Sequence, residues 1–257
     1  MSVKAPVTPA WMPASGSLSY KIGKGYGRFL DVLFPRRCPL CDEVVPWEEG
    51  RVCQACRPKI QYVGEHYCMK CGKPLESQEV EFCPDCRKRT HAYDRGRAVF
   101  LYPAVARSVY RFKYSGRREY ADFYAEEIEK QLEETIRHWN PDALVPVPIH
   151  WRRKAVRGYN QAEELANRLG RRMGIPVLPK WVKRCRNTFP QKLLNVRERQ
   201  NNLKKAFIIR QDDVKLDTII LIDDIYTTGS TADALASLAK AAGVNNVYVI
   251  SLAIGRG

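Results

Sequence analysis

Residues 219–231 read IILIDDIYTTGST and combine residue types that suit a sugar phosphate. Ile219, Ile220, Leu221 and Ile222 suit a buried parallel strand. Asp223 and Asp224 follow directly. Thr227, Thr228, Gly229, Ser230 and Thr231 then open an Ala- and Leu-rich segment expected to be helical over 232–242. Hydroxyls and a glycine at a helix start make a phosphate cradle. Unpaired N–H groups and the positive end of the helix dipole face the anion, and Gly229 lets the backbone come close. Two carboxylates cannot bind phosphate, but they suit a vicinal diol beside it, alone or with Mg²⁺. Strand, acids and loop in this order describe a ribose 5-phosphate site with Asp223 and Asp224 as its catalytic candidates. The plainer reading, an ordinary strand–turn–helix with a Thr cap, leaves the order of residue types unexplained.

A second constellation is built from cysteine. Cys38, Cys53, Cys68 and Cys83 fall every 15 residues, and each opens a CxxC: CPLC, CQAC, CMKC and CPDC. The array repeats with period 30, each unit reading C-x2-C-x11-C-x2-C-R. A CxxC turn aims two thiolates at one metal, and two such turns complete a tetrahedral Zn²⁺ site. Eight ligands follow: Cys38, Cys41, Cys53 and Cys56 for one Cys₄ site, Cys68, Cys71, Cys83 and Cys86 for the other. Equal spacing leaves pairing across units open, and a redox dithiol, a disulfide framework and an iron–sulfur cluster are competing readings. Sites closed by four Cys have no open position for catalysis, so both Zn²⁺ ions are expected to be structural. Segments this small fold only with their metal. Cys185 stands apart and is expected to be a packed thiol, and His66 a surface residue.

Elements that would position these groups can be read around them. Residues 97–103 are expected to form a strand, 105–114 a helix, 119–138 an amphipathic acidic helix ended by Asn140-Pro141, and 143–147 a strand. Phe207 to Ile209 and Val247 to Leu252 are expected to be further parallel strands. Open α/β sheets bind ligands beyond the carboxyl ends of their strands. The loop 148–157 lies at such an end and carries Arg152, Arg153, Lys154 and Arg157. Gly158 permits a turn there, and Asn160 is a good N-cap with Glu163 three residues on. Capping accounts for part of RGYNQAEE but leaves Arg157 and Gln161 unexplained.

The stretch 219–231 resembles the signature of the type I phosphoribosyltransferases, which bind 5-phosphoribosyl 1-pyrophosphate (PRPP). Residues 145–165, VPVPIHWRRKAVRGYNQAEEL, and 188–202, TFPQKLLNVRERQNN, widen the resemblance. With four CxxC pairs ahead of them, they resemble the ComF family of competence-associated proteins, including ComFC and its GntX-like relatives, over roughly residues 30–257. The resemblance implies an α/β type I phosphoribosyltransferase fold, an open and mostly parallel sheet flanked by helices, preceded by a small double zinc-ribbon module. The expected division is a loose tail at 1–33, ribbons at 34–90 and the sheet domain at 91–257. It also implies PRPP held with Mg²⁺. Asp223 and Asp224 would sit on the ribose hydroxyls, and Thr227, Thr228, Gly229, Ser230 and Thr231 on the 5-phosphate. Arg152, Arg157 and Gln161 would lie near the pyrophosphate. Residues 182–205 would act as a lid, with Arg197 and Asn201 as further contacts. Three functions follow: PRPP binding in uptake and handling of single-stranded DNA beside a competence helicase, transfer of the phosphoribosyl group to an unidentified base, or a zinc-ribbon scaffold for a DNA-uptake machine. In the 6-oxopurine enzymes a carboxylate stands where this chain has Thr227, which argues against hypoxanthine or guanine as acceptor.

Charge points to a large anionic partner. The net charge is +15. Residues 150–210 hold 17 Lys/Arg against 3 Asp/Glu, and 87–118 hold 10 against 1, whereas 119–142 reverse to 2 against 8. PRPP needs about four basic groups; the excess suits nucleic acid or an acidic membrane surface. Lys183, Arg184 and Arg186 are candidates for single-stranded DNA. Tyr110, Phe112, Tyr114, Trp151, Tyr159, Trp181 and Phe189 interleave with the basic residues and could stack bases. No run is long enough to span a membrane, and the first twenty residues lack the apolar core of a signal peptide. A cytoplasmic protein is expected, with a peripheral place at the inner face of the membrane open to it.

Overall fold

Four short apolar runs pair side by side to form the parallel sheet of this chain. The computed structural model describes residues 35–185, 206–210 and 215–255. The strands are β1 (Arg95–Leu101), β2 (Ala143–Pro146), β3 (Val182–Arg184), β4 (Phe207–Ile209), β5 (Thr218–Tyr226) and β6 (Asn246–Ile254). The main sheet has the order β1-β6-β5-β2, and every neighbouring pair in it is parallel. Ile219, Leu221, Val247 and Val249 line one face; Ile220, Ile222, Ile250 and Leu252 line the other. That alternation is the period-2 geometry of a strand buried on both sides. Burial of each such side chain stabilises the fold by roughly 1.5–3 kcal/mol.

Among the described residues six α-helices accompany the strands: α1 (Pro84–Lys88), α2 (Tyr102–Tyr114), α3 (Tyr120–Trp139), α4 (Trp151–Arg157), α5 (Gln161–Met173) and α6 (Ser230–Ala241). Helices α2, α3 and α5 pack on the face of Ile220 and Ile222. Helix α6 packs on the face of Ile219 and Leu221. Helix α3 ends where Asn140 turns left-handed (φ 44°), a conformation Asn tolerates, with Pro141 unable to continue the helix.

Helix α6, after β5, covers one face and helix α5, the second helix after β2, covers the other, while β5 and β2 are neighbours. The carboxyl ends of these two strands therefore flank a topological switch point, where an open α/β sheet presents a crevice. The expected strands and helices are present with four differences. The expected loop 148–157 is helical over Trp151–Arg157, and the strand expected over 97–103 is Arg95–Leu101, with Tyr102 and Pro103 starting α2. Strand β5 runs on through the acidic pair to Tyr226 rather than stopping at Ile222. Phe207–Ile209 is not a parallel strand of the sheet: β4 pairs antiparallel with β3 in a separate two-stranded ribbon. Three apolar residues announce a strand but carry no information about its partner.

The cysteine segments repeat in three dimensions. Arg37 bridges Val44 and, thirty residues on, Tyr67 bridges Pro74. Cys38 N–H donates to Glu43 O as Cys68 N–H does to Lys73 O. Asp42 and Gly72, at φ 72° and 78°, make the same turn. The two copies differ in what they touch. Cys38 and Cys56 join the α2/α3 face, and Cys68, Cys71 and Cys83 join the α6 face. The ribbons thus straddle the β1 edge of the sheet. Only the second copy requires glycine for space: a Cβ at Gly72 would lie 2.9 Å from the β1 backbone at Gly96 and Arg97. Among the described residues no helix is long and apolar enough to cross a membrane.

Candidate functional site

Because β5 continues past Ile222, its alternation assigns the two acids to opposite faces. Asp224 turns toward α2, where its carboxylate pairs with Lys113 Nζ at 2.8 Å. Asp223 turns toward the β3–β4 side and accepts from Asp224 N–H at 2.8 Å. Burial and the neighbouring Asp224 push the Asp223 carboxyl up to about 7, against the opposing pull of Lys113 and Arg184. Lys113 is a site residue that sequence reasoning missed. Nothing in its spacing marks it, because only the placement of α2 against the end of β5 brings the amine to the acid.

Beyond Tyr226 the chain bends through Thr227 and Thr228, both exposed, to Gly229 at φ 74°, which caps α6. Glycine is required there twice over. The left-handed φ strains any other residue, and a Cβ would lie 2.4 Å from the Tyr226 hydroxyl and 3.1 Å from His91 Cε1. Thr228 Oγ1 and Ser230 Oγ are 2.9 Å apart, so the hydroxyls converge. Thr231 follows in the first turn of α6. Asp233 anchors the loop from behind by accepting from Ala92 N–H and pairing with His91 Nδ1, both at 2.9 Å.

Across the crevice, His150 caps α4 by accepting from Arg152 N–H at 3.3 Å. Burial, with Arg184, Arg152 and Arg153 around it, holds its imidazole below the ordinary value. Arg184 of β3 feels both Arg153 and Asp223. The structure thus sets Asp223 near Arg184 and Arg153, with Arg152 beside His150, and turns Asp224 to Lys113 on the other face, the loop 227–231 following directly. Arg157 and Gln161 meet the end of α2, the helix that carries Lys113. Arg157 donates to Gln161 Oε1 at 3.0 Å and to the Tyr114 hydroxyl at 2.9 Å, and the fully buried Gln161 donates to Phe112 O. The part of RGYNQ that capping does not explain is a clamp from α4 and α5 onto the end of α2. Lys183 is exposed beside an open groove of about 390 Å³ that it shares with Lys154, Lys180, Arg184 and Arg210. Arg186, Phe189, Arg197 and Asn201 lie outside the described residues. Cys185 is exposed rather than packed, and His66 is a surface residue hydrogen-bonded to Gln78.

The cysteines converge in two groups, Cys38/Cys41/Cys53/Cys56 and Cys68/Cys71/Cys83/Cys86, with the sulfurs of each within 4.8 Å of one another. This settles the pairing within units. Cys41 to Cys53 and Cys71 to Cys83 are both 3.7 Å between sulfurs. A tetrahedron with Zn–S bonds of ~2.3 Å requires ~3.8 Å. Burial pushes Cys56 and Cys86 up to about 12, so four thiolates this close need a cation between them. The donor sets fit structural Zn²⁺.

Comparison with known proteins agrees with this geometry. The double zinc ribbon domain family matches residues 29–87. Competence protein F of Haemophilus influenzae is 29% identical, across 86% of this chain and 97% of its own. Competence protein ComFC of Bacillus subtilis is 30% identical, across 83% and 94%. DNA utilization protein YhgH of Salmonella typhimurium is 29% identical, across 84% and 95%. Among solved structures, a hypoxanthine phosphoribosyltransferase from Staphylococcus aureus aligns with 52% of this chain and 62% of its own at 14% identity and a TM-score of 0.32, too loose to carry an argument. With paired cysteine ribbons ahead of a parallel sheet and 30% identity sustained over 94% of ComFC, the chain belongs to the ComF family.

Proposed function

We propose that this chain binds PRPP at the switch point between β2 and β5 and serves a competence-related role in handling incoming single-stranded DNA. One observation supports the PRPP reading: the strand that carries both acids runs directly into a hydroxyl-rich loop capped by Gly229 at the start of α6. Backbone N–H groups at the start of α6 would hold the 5-phosphate. Asp223 and Asp224 would accept from the ribose hydroxyls, Lys113 keeping Asp224 in place. Arg152 and Arg184 would meet the pyrophosphate. Mg²⁺ bound with PRPP would supply charge neutralisation, and the two aspartates are the hard oxygen donors that suit it. The names of the relatives, two competence proteins and a DNA utilization protein, support the DNA role. So does the basic excess in 150–210.

Calorimetric titration with PRPP and Mg²⁺ tests the site. Asp223→Asn combined with Asp224→Asn removes two charge-assisted hydrogen bonds worth roughly 1.5–3 kcal/mol each, so affinity should fall at least ~100-fold. Unchanged affinity in a folded double variant would sink the assignment.

A further inference from the structure

The second ribbon reaches further into the molecule than a folding module needs to. A cavity of about 300 Å³ lies between it and the phosphate loop, walled by Cys71, Cys86, Lys88 and Arg89 on one side and by Thr228 on the other, with His91 at its back. Arg89 Nη1 already donates to Thr228 O at 3.3 Å. The acid of this cavity, Asp85, is taken up by Lys73 at 2.6 Å. Lys88 and Arg89 therefore leave a positive excess facing the loop. The wall is rigidly joined to what it faces. Tyr93 and Tyr226 share a hydrogen bond of 2.7 Å between their hydroxyls, His91 stacks on Tyr93 with centroids 4.9 Å apart, and Asp233 grips His91 from α6.

We propose that the second ribbon forms one wall of the ribose-phosphate pocket, with Lys88 and Arg89 taking outer oxygens of the 5-phosphate whose inner oxygens the loop holds. Metal in that ribbon fixes their position, because both follow Cys86 within three residues. The first ribbon offers a built-in comparison. Lys59 follows Cys56 as Arg89 follows Cys86, but the first ribbon packs on the opposite face of the sheet. The internal repeat has thus given one copy to the phosphate site and left the other outside it. This inference rests on the PRPP reading and deepens it by assigning the phosphate contacts that the loop alone does not supply.

The test uses the full chain, calorimetry with PRPP and Mg²⁺ and with ribose 5-phosphate, and a zinc count for each variant. Lys88→Ala combined with Arg89→Ala should weaken ribose 5-phosphate about tenfold or more and leave two zinc ions bound. Lys59→Ala should bind like the unaltered chain. Cys86→Ser should lose one zinc and weaken ribose 5-phosphate to a similar degree. Full affinity in the Lys88/Arg89 variant overturns the proposal, as does equal weakening by Lys59→Ala, which would mark a general effect of charge. Full affinity in Cys86→Ser with one zinc lost overturns the role of the metal. Failure of the unaltered chain to bind either probe removes the PRPP reading itself, and this proposal with it.

Discussion

Asp223 and Asp224 are adjacent in sequence yet serve different environments, and the difference has a consequence for stability. Asp224 has Lys113 as a partner, whereas Asp223 is half-buried beside a like charge and pushed up to about 7. In the unfolded chain an aspartate titrates near ~3.9. Between these values the folded state binds the proton more tightly, so stability falls as pH rises from about 4 to 7 and stays lower above that. The stability lost by pH 8 is the cost of ionising Asp223 beside Asp224. Asp223→Asn should remove it: the variant should melt higher than the parent at pH 8, with the two converging at pH 4. Identical pH profiles would mean that Asp223 ionises in the fold without penalty. Gly229→Ala should act in the opposite direction, destabilising by roughly 1–3 kcal/mol at every pH, through left-handed strain and the overlap with Tyr226 and His91. Thermal melts read both effects on one instrument.

Elements that the sequence marks through local spacing are the ones that were legible in it. A CxxC turn, an Asn–Pro helix stop and a run of four β-branched or leucine residues each carry their own geometry, so the four CxxC turns, the end of α3 and the core of β5 could be read directly, while the pairing of the turns into Cys₄ groups needed the fold. What required the fold is of a different kind. Lys113 meets Asp224 across 111 residues, Arg89 meets the loop across 139, and no periodicity within a helix reports such pairings. The antiparallel direction of β4 and the clamp made by Arg157 and Gln161 were hidden for the same reason. The ribbons show both sides at once, since the repeat was plain in sequence but the opposite faces that its copies occupy were not. Metal analysis checks the element directly. Two zinc equivalents per chain are expected, and Cys38→Ser or Cys68→Ser should each lose one while the parallel sheet keeps its unfolding transition. Iron in the purified protein, or no metal with oxidised thiols, would defeat the structural-zinc reading.

At the scale of the whole molecule, charge and exposed aromatic surface together decide what the excess of +15 can hold. Of the aromatics interleaved with basic residues, Phe112, Tyr159 and Trp181 belong to the cores. Tyr110, Tyr114 and Trp151 remain 62%, 54% and 64% exposed. The rings of Tyr110 and Tyr114 lie 5.0 Å apart, Arg157 covers Tyr114, and Arg152 lies over Trp151. Basic groups beside open rings suit a single strand, whose phosphates need neutralising and whose bases need surfaces to stack on. A 30-nucleotide single strand should bind with little sequence preference and with a log–log salt slope of about −0.7 per phosphate neutralised. Tyr110→Ala combined with Tyr114→Ala should cost roughly 1–3 kcal/mol per base unstacked and leave the slope unchanged, because no charge is lost. Lys183→Ala, on the exposed groove, should flatten the slope and spare PRPP. Arg184→Ala, one residue on but facing Asp223 and Arg153, should weaken PRPP instead. Neighbouring basic residues are thus expected to respond to different ligands, which a diffuse cloud of positive charge could not produce. If both variants changed only the salt slope, Arg184 would belong to the DNA track and the pyrophosphate side of the crevice would rest on the α4 arginines alone.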